Sequence, residues 1–510
     1  MRNLFSSDAV YEYVSVPNNN PKPILSREEI RAIYDQGPDA VIGFVEKLLA
    51  IIPEQSKQIE LLTARVLDLE ARLHKDSHNS GKPPSSDGLR KKPVPKSQRP
   101  KGNKPSGGQP GHPGSTLRMS KDPDHVIHHL PVACAGCGAC FDNASLDEAS
   151  LCDYEARQVF DLPPLSIETT EHRCVRLTCS CGLVNHGTFP DSVTQPVQYG
   201  ERIKALSVYL TNYQLLPWDR TTQMLRDLFG CTLSEGILQS AHQRCAQVLT
   251  PVNEGIKQAL QQKDQVHFDE TGQRIDGKLY WLHVACTDQL TYYATHAKRG
   301  HVAMDAIGIL PVFQGRAIHD AWSSYFSYFK CEHSPCNVHH VRELTFLAEE
   351  QGQIWAQRLK TLLLDIKGRV DDAKVRGLSA LATDEIADFE KRYDLLIQDG
   401  LHTNPEATRS RKRGKTGQAK GRNLAKRLQK RDEVLAFLHD FSVPFDNNLA
   451  ERDIRMMKVR QKVSGCFRTN EGAVIFGQIR GYLSTMRKQG HNMLEVLTTV
   501  IQGKPRAPAF

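Results

Sequence analysis

The sequence predicts a multidomain α/β protein. Its 510 residues exceed what one hydrophobic core usually serves, so several domains of roughly 100 to 200 residues each are expected. Helical periodicity over residues 200–249 changes after Gln265 to the two-residue period of strands. The cysteines cluster between Cys134 and Cys181, which indicates a separate metal-binding module.

These changes of pattern divide the chain into segments. We expect a helical, coiled-coil region at 1–76, a basic disordered linker at 77–123, a metal-binding module at 124–195, a helix-turn-helix-like region at 196–258, a core at 259–345 and 440–485, a helical insertion with a basic run at 346–439, and a C-terminal helix and tail at 486–510.

The charge and the cysteines indicate the kind of partner and the cellular compartment. The formal net charge is +8, concentrated largely in two runs, which suits a polyanionic partner. The N-terminus lacks the apolar core of a signal peptide, and no stretch approaches 18 uninterrupted apolar residues. The thirteen cysteines are therefore expected to be metal ligands and reduced thiols in a cytoplasmic protein without a membrane partner.

A heptad-like stripe follows Pro53. Apolar residues recur at alternating steps of three and four: Ile59, Leu62, Val66, Leu69 and Leu73. The stripe predicts a short coiled coil, which would be one contact of a homodimer. Because it lasts only about two heptads, an amphipathic helix packed on its own domain is the alternative.

The linker is rich in Ser, Gly, Pro, Asn and Lys from Ser77 to Thr116, and it cannot bury enough apolar surface to order itself. Its cations make it a basic tether able to contact phosphates, with a merely solubilising linker as the alternative.

Two cysteine pairs predict a structural zinc site. Cys134 and Cys137 form a Cys-x-x-Cys-Gly knuckle, and Cys179 and Cys181 follow about forty residues later. The second pair has one intervening residue rather than two, so a different cysteine could complete the site: Cys140, Cys152 or Cys174. Segments 158–162 and 166–172 alternate as the strands of a zinc ribbon would.

A helix ending at Gly230 is followed by a second helix with Ser234 as its N-cap. Two helices joined by a short turn fit a helix-turn-helix, with plain bundle packing as the alternative. Its second helix would present four polar residues to DNA: Glu235, Gln239, His242 and Arg244.

Two aspartates are predicted to end separate short strands. Val266–Asp269 and Arg316–His319 both have strand character, and Asp320 follows the second. Between them a hairpin is expected around Asp288. Carboxylates that converge in a sheet can hold the two divalent ions of phosphoryl transfer, although aspartate is also a common turn residue.

A third carboxylate lies on a predicted helix. Asp446 or Asn447 can cap a helix on which four polar residues fall on one face: Asn448, Glu451, Arg452 and Arg455. This face suits a metal and a phosphate together, whereas a surface helix with salt bridges is the alternative.

These motifs, taken in order, resemble those of insertion sequence 66 transposases. The similarity extends from about residue 55 to the C-terminus and depends on residues 79–87, 108–112, the Cys134 knuckle, 196–200, 269–271 and 446–452. The resemblance implies an RNase H-like catalytic core whose DDE triad is Asp269, Asp320 and Glu451, holding two Mg²⁺ ions. The Cys336-Asn-Val-His339 step also resembles related DDE enzymes and implies a support for the active-site wall; zinc binding by Cys336 and His339 is the alternative.

About 130 residues separate Asp320 from Glu451, too many for a bare connection, so we predict a helical insertion. Its basic run begins at Arg409, includes Arg411, Lys412, Arg413 and Lys415, and continues to Arg431. The run predicts a phosphate track for DNA.

The expected activity is Mg²⁺-dependent cleavage at transposon ends followed by strand transfer into target DNA. Arg452, Arg455 and Lys458 would neutralise phosphates, with Asn448 and His339 in support. The expected partners are DNA, further copies of the chain in a homodimer or a higher synaptic assembly, and small accessory proteins, in a nucleoid-associated location. The alternatives are an RNase H-like nuclease or resolvase without strand transfer, and a catalytically silent DNA-binding regulator.

Overall fold

The computed structural model describes residues 26–73, 117–130, 132–140, 155–163, 165–406 and 418–510. The helices are α1 (Arg27–Asp35), α2 (Pro38–Leu73), α3 (Glu201–Val208), α4 (Trp218–Phe229), α5 (Glu235–Gln261), α6 (His301–Ile307), α7 (Asn337–Gln351), α8 (Ile354–Val375), α9 (Thr383–Thr403), α10 (Lys420–Leu428), α11 (Arg431–Val434), α12 (Ala436–His439), α13 (Asn448–Ser464), α14 (Asn470–Lys488) and α15 (Met493–Ile501). The strands are β1 (Arg176–Thr178), β2 (Val184–His186), β3 (Gln265–Ile275), β4 (Lys278–Cys286), β5 (Thr291–His296), β6 (Arg316–His319) and β7 (Glu332–Pro335). Within these ranges, none of the helices has the length and apolar composition that crossing a membrane requires.

The predicted coiled-coil segment is part of a longer helix. Helix α2 begins at Pro38, before the predicted start, and continues through Pro53 for 36 residues. Its apolar stripe is exposed, from 50% at Leu69 to 82% at Leu73. Packing on its own domain, the alternative to a coiled coil, is therefore not seen among the described residues, where α1 is the helix that contacts α2.

The cysteine-rich region forms a small hairpin. Strands β1 and β2 pair in antiparallel register. The strands expected at 158–162 and 166–172 are wrong: both segments are irregular and largely exposed. The alternating apolar side chains of these segments remain exposed, and without a buried face the register of a strand is not specified. The predicted linker from 77 to 116 lies outside the described residues.

The helical region contains α3, a π-helical turn at Tyr209–Tyr213, α4 and α5. Helix α4 ends at Gly230 in the left-handed conformation with φ +66°, as its sequence predicts. Ser234 occupies the N-cap of α5, although its side chain makes no capping hydrogen bond. Helix α5 extends for 27 residues and leads into the central sheet.

The central sheet has the order β5-β4-β3-β6-β7. Strands β3, β4 and β5 are antiparallel neighbours, whereas β6 is parallel to β3 and β7 is parallel to β6. The predicted hairpin is confirmed: Thr287 Oγ1 accepts hydrogen bonds from the amides of Gln289 and Leu290 in the turn. Apolar residues of α5 and α6 cover one face of the sheet, and those of α13 and α14 cover the other.

The insertion builds a core of its own. The predicted helix starting at Ile354 is α8, and the one over residues 385–396 lies within α9. Trp355, Tyr393 and Leu428 are buried between these helices and α10. The predicted core segments end at residues 345 and 485, but helix α7 continues through residue 345 and helix α14 continues through residue 485.

Candidate active site

Asp269 and Asp320 lie on neighbouring parallel strands. Gln265 pairs with Arg316 and His267 with Ile318, an offset of 51 positions. The same offset places Asp320 beside Asp269. Asp320 follows the end of β6 as predicted, but Asp269 lies within β3 rather than at its end, because β3 continues in antiparallel pairing with β4 after β6 has stopped.

Glu451, on helix α13, lies close enough to Asp269 for its charge to act on that carboxyl. This helix packs against β3 and β4, and Glu451 is in its first turn. Burial raises the pKa of Asp269 well above its usual range, and the negative charges of Glu270, Asp320 and Glu451 raise it further. The three carboxylates named from the sequence therefore share one electrostatic environment.

Asn447 attaches the start of α13 to β3. Only 2% of its surface is exposed. Its Nδ2 donates to the Phe268 carbonyl at 2.8 Å, and its Oδ1 lies 2.8 Å from His267 Nδ1. Its backbone amide donates to Cys336 Sγ at 3.3 Å. These bonds fix the helix that carries Glu451 relative to the strand that carries Asp269.

Cys336 connects the same helix to β6. Its amide donates to the carbonyl of His319, the residue before Asp320, at 2.8 Å. The side chain is 1% exposed. Cys336 therefore links the end of β6 to the start of α13. Asn448, the other supporting residue, is exposed and donates from Nδ2 to Asp446 Oδ2 at 2.6 Å.

Arg299 bridges two acidic side chains beside this group. Its Nε donates to Glu270 Oε1 at 2.7 Å, and its Nη2 lies 3.7 Å from Asp320 Oδ2. Its guanidinium carbon is 4.1 Å from the ring centre of Trp322 and 5.0 Å from that of Trp281. The arginine is therefore oriented by a carboxylate and by two aromatic rings.

Glu451 faces cations. Its Oε1 lies 3.3 Å from His339 Nε2. Burial alone would raise the pKa of Glu451, but the hydrogen bond and charge of His339 and the charges of Arg342 and Arg455 lower it below its usual value. An ionised Glu451 is therefore stabilised between basic groups.

Cys336, His339 and Glu451 offer ligand atoms that all lie within 4.8 Å of one another, a group that could hold a metal ion. No other set of three or more such side chains is gathered so closely in the described part of the chain.

The predicted zinc ligands form two separate turns. Gly138 N donates to the Cys134 carbonyl at 2.9 Å, and Gly182 N donates to the Cys179 carbonyl at 2.8 Å. In the first turn, hydrogen bonds from the amides of Cys137 and Gly136 lower the pKa of the Cys134 thiol. In the second, the amide of Cys181 does the same for the pKa of Cys179. The described structure brings each pair together, but it does not gather three of these sulfurs within 4.8 Å.

The predicted phosphate contacts differ in their surroundings. Arg452 and Arg455 are exposed on α13. Lys458 is half-buried and donates to the Gly272 carbonyl at 2.9 Å, so it stabilises β3 instead of standing free for a phosphate. The four residues Arg411, Lys412, Arg413 and Lys415 lie outside the described residues.

The second half of the basic run is largely paired within the insertion. Arg427 donates to both carboxylate oxygens of Glu343, at 2.8 and 2.7 Å. Arg431 donates to Asp394 Oδ2 at 2.8 Å. The phosphate track stays a prediction for this half, in which acids from other helices pair with the cations.

One residue of the predicted recognition helix is buried. His242 is 6% exposed; its Nε2 lies 2.8 Å from Thr211 Oγ1 and its Nδ1 lies 2.6 Å from the Leu238 carbonyl. It cannot contact DNA, and the prediction for it is wrong because α5 turns this position toward the π-helical segment. Glu235, Gln239 and Arg244 are exposed.

Sequence reasoning missed four residues of the site. Arg299 and Arg342 belong to no local motif, and Glu270 lies in the motif at 269–271 without a role assigned from the sequence, because the partners of all three residues lie elsewhere in the chain. Asn447 has a signal, its place in the motif at 446–452, but the only role that the sequence indicates for its side chain is that of a helix cap.

Two family models match the chain. One, described as Transposase IS66 family, matches residues 196–475, which include all three carboxylates. The other is a family of unknown function (DUF6444), matching residues 27–118. No match is found among curated proteins. Because the first model covers more than half of the 510 residues, the chain belongs to the Transposase IS66 family.

Proposed function

We propose that this transposase is a DDE enzyme that cuts DNA at the ends of a mobile element and joins the ends to target DNA. The observation that supports the proposal is that the buried carboxyl of Asp269 is coupled electrostatically to Asp320, which follows the neighbouring parallel strand, and to Glu451 on α13. We propose that the sheet and the helices around it form the RNase H-like core implied by the sequence.

The donor set fits Mg²⁺. All three side chains offer carboxylate oxygens, the ligands that Mg²⁺ prefers. The raised pKa of Asp269 reflects burial and negative charge that a cation would compensate. When bound by Asp269, Asp320 and Glu451, two Mg²⁺ ions would supply activation of the attacking oxygen and stabilisation of the leaving oxygen.

The surrounding residues keep this donor set in place. Asn447 and Cys336 fix α13 against β3 and β6. Arg299 restrains Asp320 through its contact with that carboxylate and is itself held by Glu270. His339 and Arg342 keep Glu451 ionised and so ready to act as a ligand.

DNA would approach along α13. Arg452 and Arg455 lie one turn apart, and within the described residues neither has an ion pair or hydrogen bond. They would contact phosphates flanking the scissile bond. We assign further phosphate contacts to Arg411, Lys412, Arg413 and Lys415, and end recognition to the helix-turn-helix-like pair α4 and α5.

Replacing Arg452 and Arg455 together by alanine is expected to weaken DNA binding without regard to sequence. Each lost phosphate contact lowers the slope of log K against log salt by about 1, so the slope should fall by about 2. Binding to a labelled duplex over a range of salt concentrations measures this. Arg392→Ala, which removes an arginine paired with Asp388 on α9, is the matched control and should leave the slope unchanged.

The remaining modules would serve assembly. We propose structural Zn²⁺ on Cys134, Cys137, Cys179 and Cys181, since backbone amides already favour the thiolates of the two turns. The exposed stripe of α2 would pair two copies of the chain, so that two transposon ends are held together. Small accessory proteins are the other expected partners.

The test of this function is nicking of a transposon-end duplex by the purified chain. Nicking in Mg²⁺ that EDTA abolishes supports the proposal. A chain that binds the duplex without cutting it under any divalent ion would instead be a DNA-binding regulator. Nicking without any joined product would indicate a nuclease.

A further inference from the structure

The N-terminal end of α7 brings three different metal-binding side chains together. Cys336 precedes α7, His339 is in its first turn, and Glu451 reaches them from α13. Their ligand atoms lie within 4.8 Å of one another. Ligands of a tetrahedral zinc are separated by roughly 3 to 4 Å, as bond lengths of about 2.0 to 2.3 Å require. A small closure of side chains would therefore complete a site.

The sulfur of Cys336 is prepared for a cation. It accepts a hydrogen bond from the backbone amide of Asn447 at 3.3 Å. A divalent cation placed between this sulfur and the carboxylate of Glu451 would be attracted to both, and its binding would release the thiol proton.

We propose that Cys336, His339 and Glu451 form a site for a thiophilic divalent cation such as Zn²⁺. Sulfur and imidazole ligands favour Zn²⁺ over Mg²⁺, whose preferred ligands are all oxygen atoms. The sequence offers zinc binding by Cys336 and His339 as an alternative, and the structure adds Glu451 as a third candidate ligand.

Occupancy of this site would regulate the enzyme. Glu451 would belong both to this site and to the Mg²⁺ site, so a Zn²⁺ ion held here would withdraw it from the carboxylate triad and inhibit cleavage. The positive charges of Arg342 and Arg455 face the same carboxylate and weaken binding of a dication, which favours reversible over permanent occupancy. This regulatory consequence rests on the proposed function, whereas binding of the ion does not.

Titration of the full chain with Cd²⁺ tests the site, and the absorption from sulfur-to-cadmium charge transfer measures the binding. Other cysteines also bind Cd²⁺, so the comparison is between variants. Cys336→Ser is expected to lose one equivalent of bound Cd²⁺ relative to the wild type. His339→Ala, which leaves the buried thiol in place, is expected to weaken that equivalent by about tenfold or more. Cys466→Ser, at an exposed cysteine, is the control for non-specific thiol binding.

The proposal would be overturned if Cd²⁺ bound with the same stoichiometry and affinity to all three variants, Cys336→Ser, His339→Ala and Cys466→Ser. In a chain that nicks DNA in Mg²⁺, addition of Zn²⁺ should inhibit nicking; nicking that is insensitive to saturating Zn²⁺ contradicts the regulatory role. A chain that never nicks contradicts the proposed function, and the cadmium titration still decides the metal site.

Discussion

Asp269→Asn is expected to abolish DNA cleavage while making the folded chain more stable. The substitution removes one charged ligand of the proposed Mg²⁺ site, and metal catalysis contributes several kcal/mol to such reactions. A loss of about 4 kcal/mol corresponds to a rate reduced by about a thousandfold. The asparagine oxygen can still accept the hydrogen bond that Glu270 N donates to Asp269 Oδ1 at 2.8 Å, so the backbone should not move.

The gain in stability follows from the raised pKa of Asp269. A carboxyl whose pKa is higher in the folded chain than in the unfolded chain binds more protons when folded. Its contribution to stability therefore falls as the pH rises above the unfolded value of about 4. Asparagine removes this penalty at neutral pH. The expected thermal midpoint is thus higher at pH 7, with a smaller difference from the wild type near pH 4.

Cleavage of a labelled duplex and thermal unfolding, measured on the same preparations, check both parts. Asp288→Asn, at an exposed turn between β4 and β5, is the matched control and should change neither property. If the variant cut at more than a tenth of the wild-type rate, Asp269 would not belong to the triad. A lower thermal midpoint would mean that the carboxylate is stabilised by partners other than those seen.

Asn447→Ala is expected to destabilise the core and to disorganise the site. It leaves the Phe268 carbonyl and His267 Nδ1 without their partner in a buried position. Unsatisfied buried groups cost about 1 to 3 kcal/mol each, so the two together are expected to cost about 2 to 6 kcal/mol. Cleavage should fall as well, because α13 loses its attachment to β3 and Glu451 shifts relative to Asp269.

Asn448→Ala is the matched comparison, since the same residue type one position later is exposed and bonded only locally to Asp446. Its effect on stability should stay below about 1 kcal/mol. Denaturant midpoints of the two variants measure the difference. Equal midpoints would contradict the role given to Asn447.

Local pattern was sufficient for several parts of the fold. Alternation of apolar and aromatic residues located the hairpin of β4 and β5, and the glycine at 230 located the end of α4. Asp320 was placed correctly because β6 is short and ends immediately before it. Each of these features is specified by residues that are neighbours in the chain.

Features that depend on distant segments could not be predicted in this way. The bonds of Asn447 to β3 join residues about 180 positions apart, and no local period indicates them. The ion pairs of Arg427 and Arg431 could not be predicted because their partners, Glu343 and Asp394, belong to other helices. His242 was assigned to DNA because helical spacing does not reveal which face another segment covers.

The central claim is that Asp269, Asp320 and Glu451 form one metal-dependent site for both cutting and joining DNA. The most direct measurement is strand joining of a labelled, precut transposon-end duplex to target DNA in Mg²⁺, by the wild type and by Glu451→Gln. We predict joined products with the wild type and a loss of about a thousandfold or more with Glu451→Gln at unchanged duplex binding. Joining by Glu451→Gln at the wild-type rate would contradict the claim.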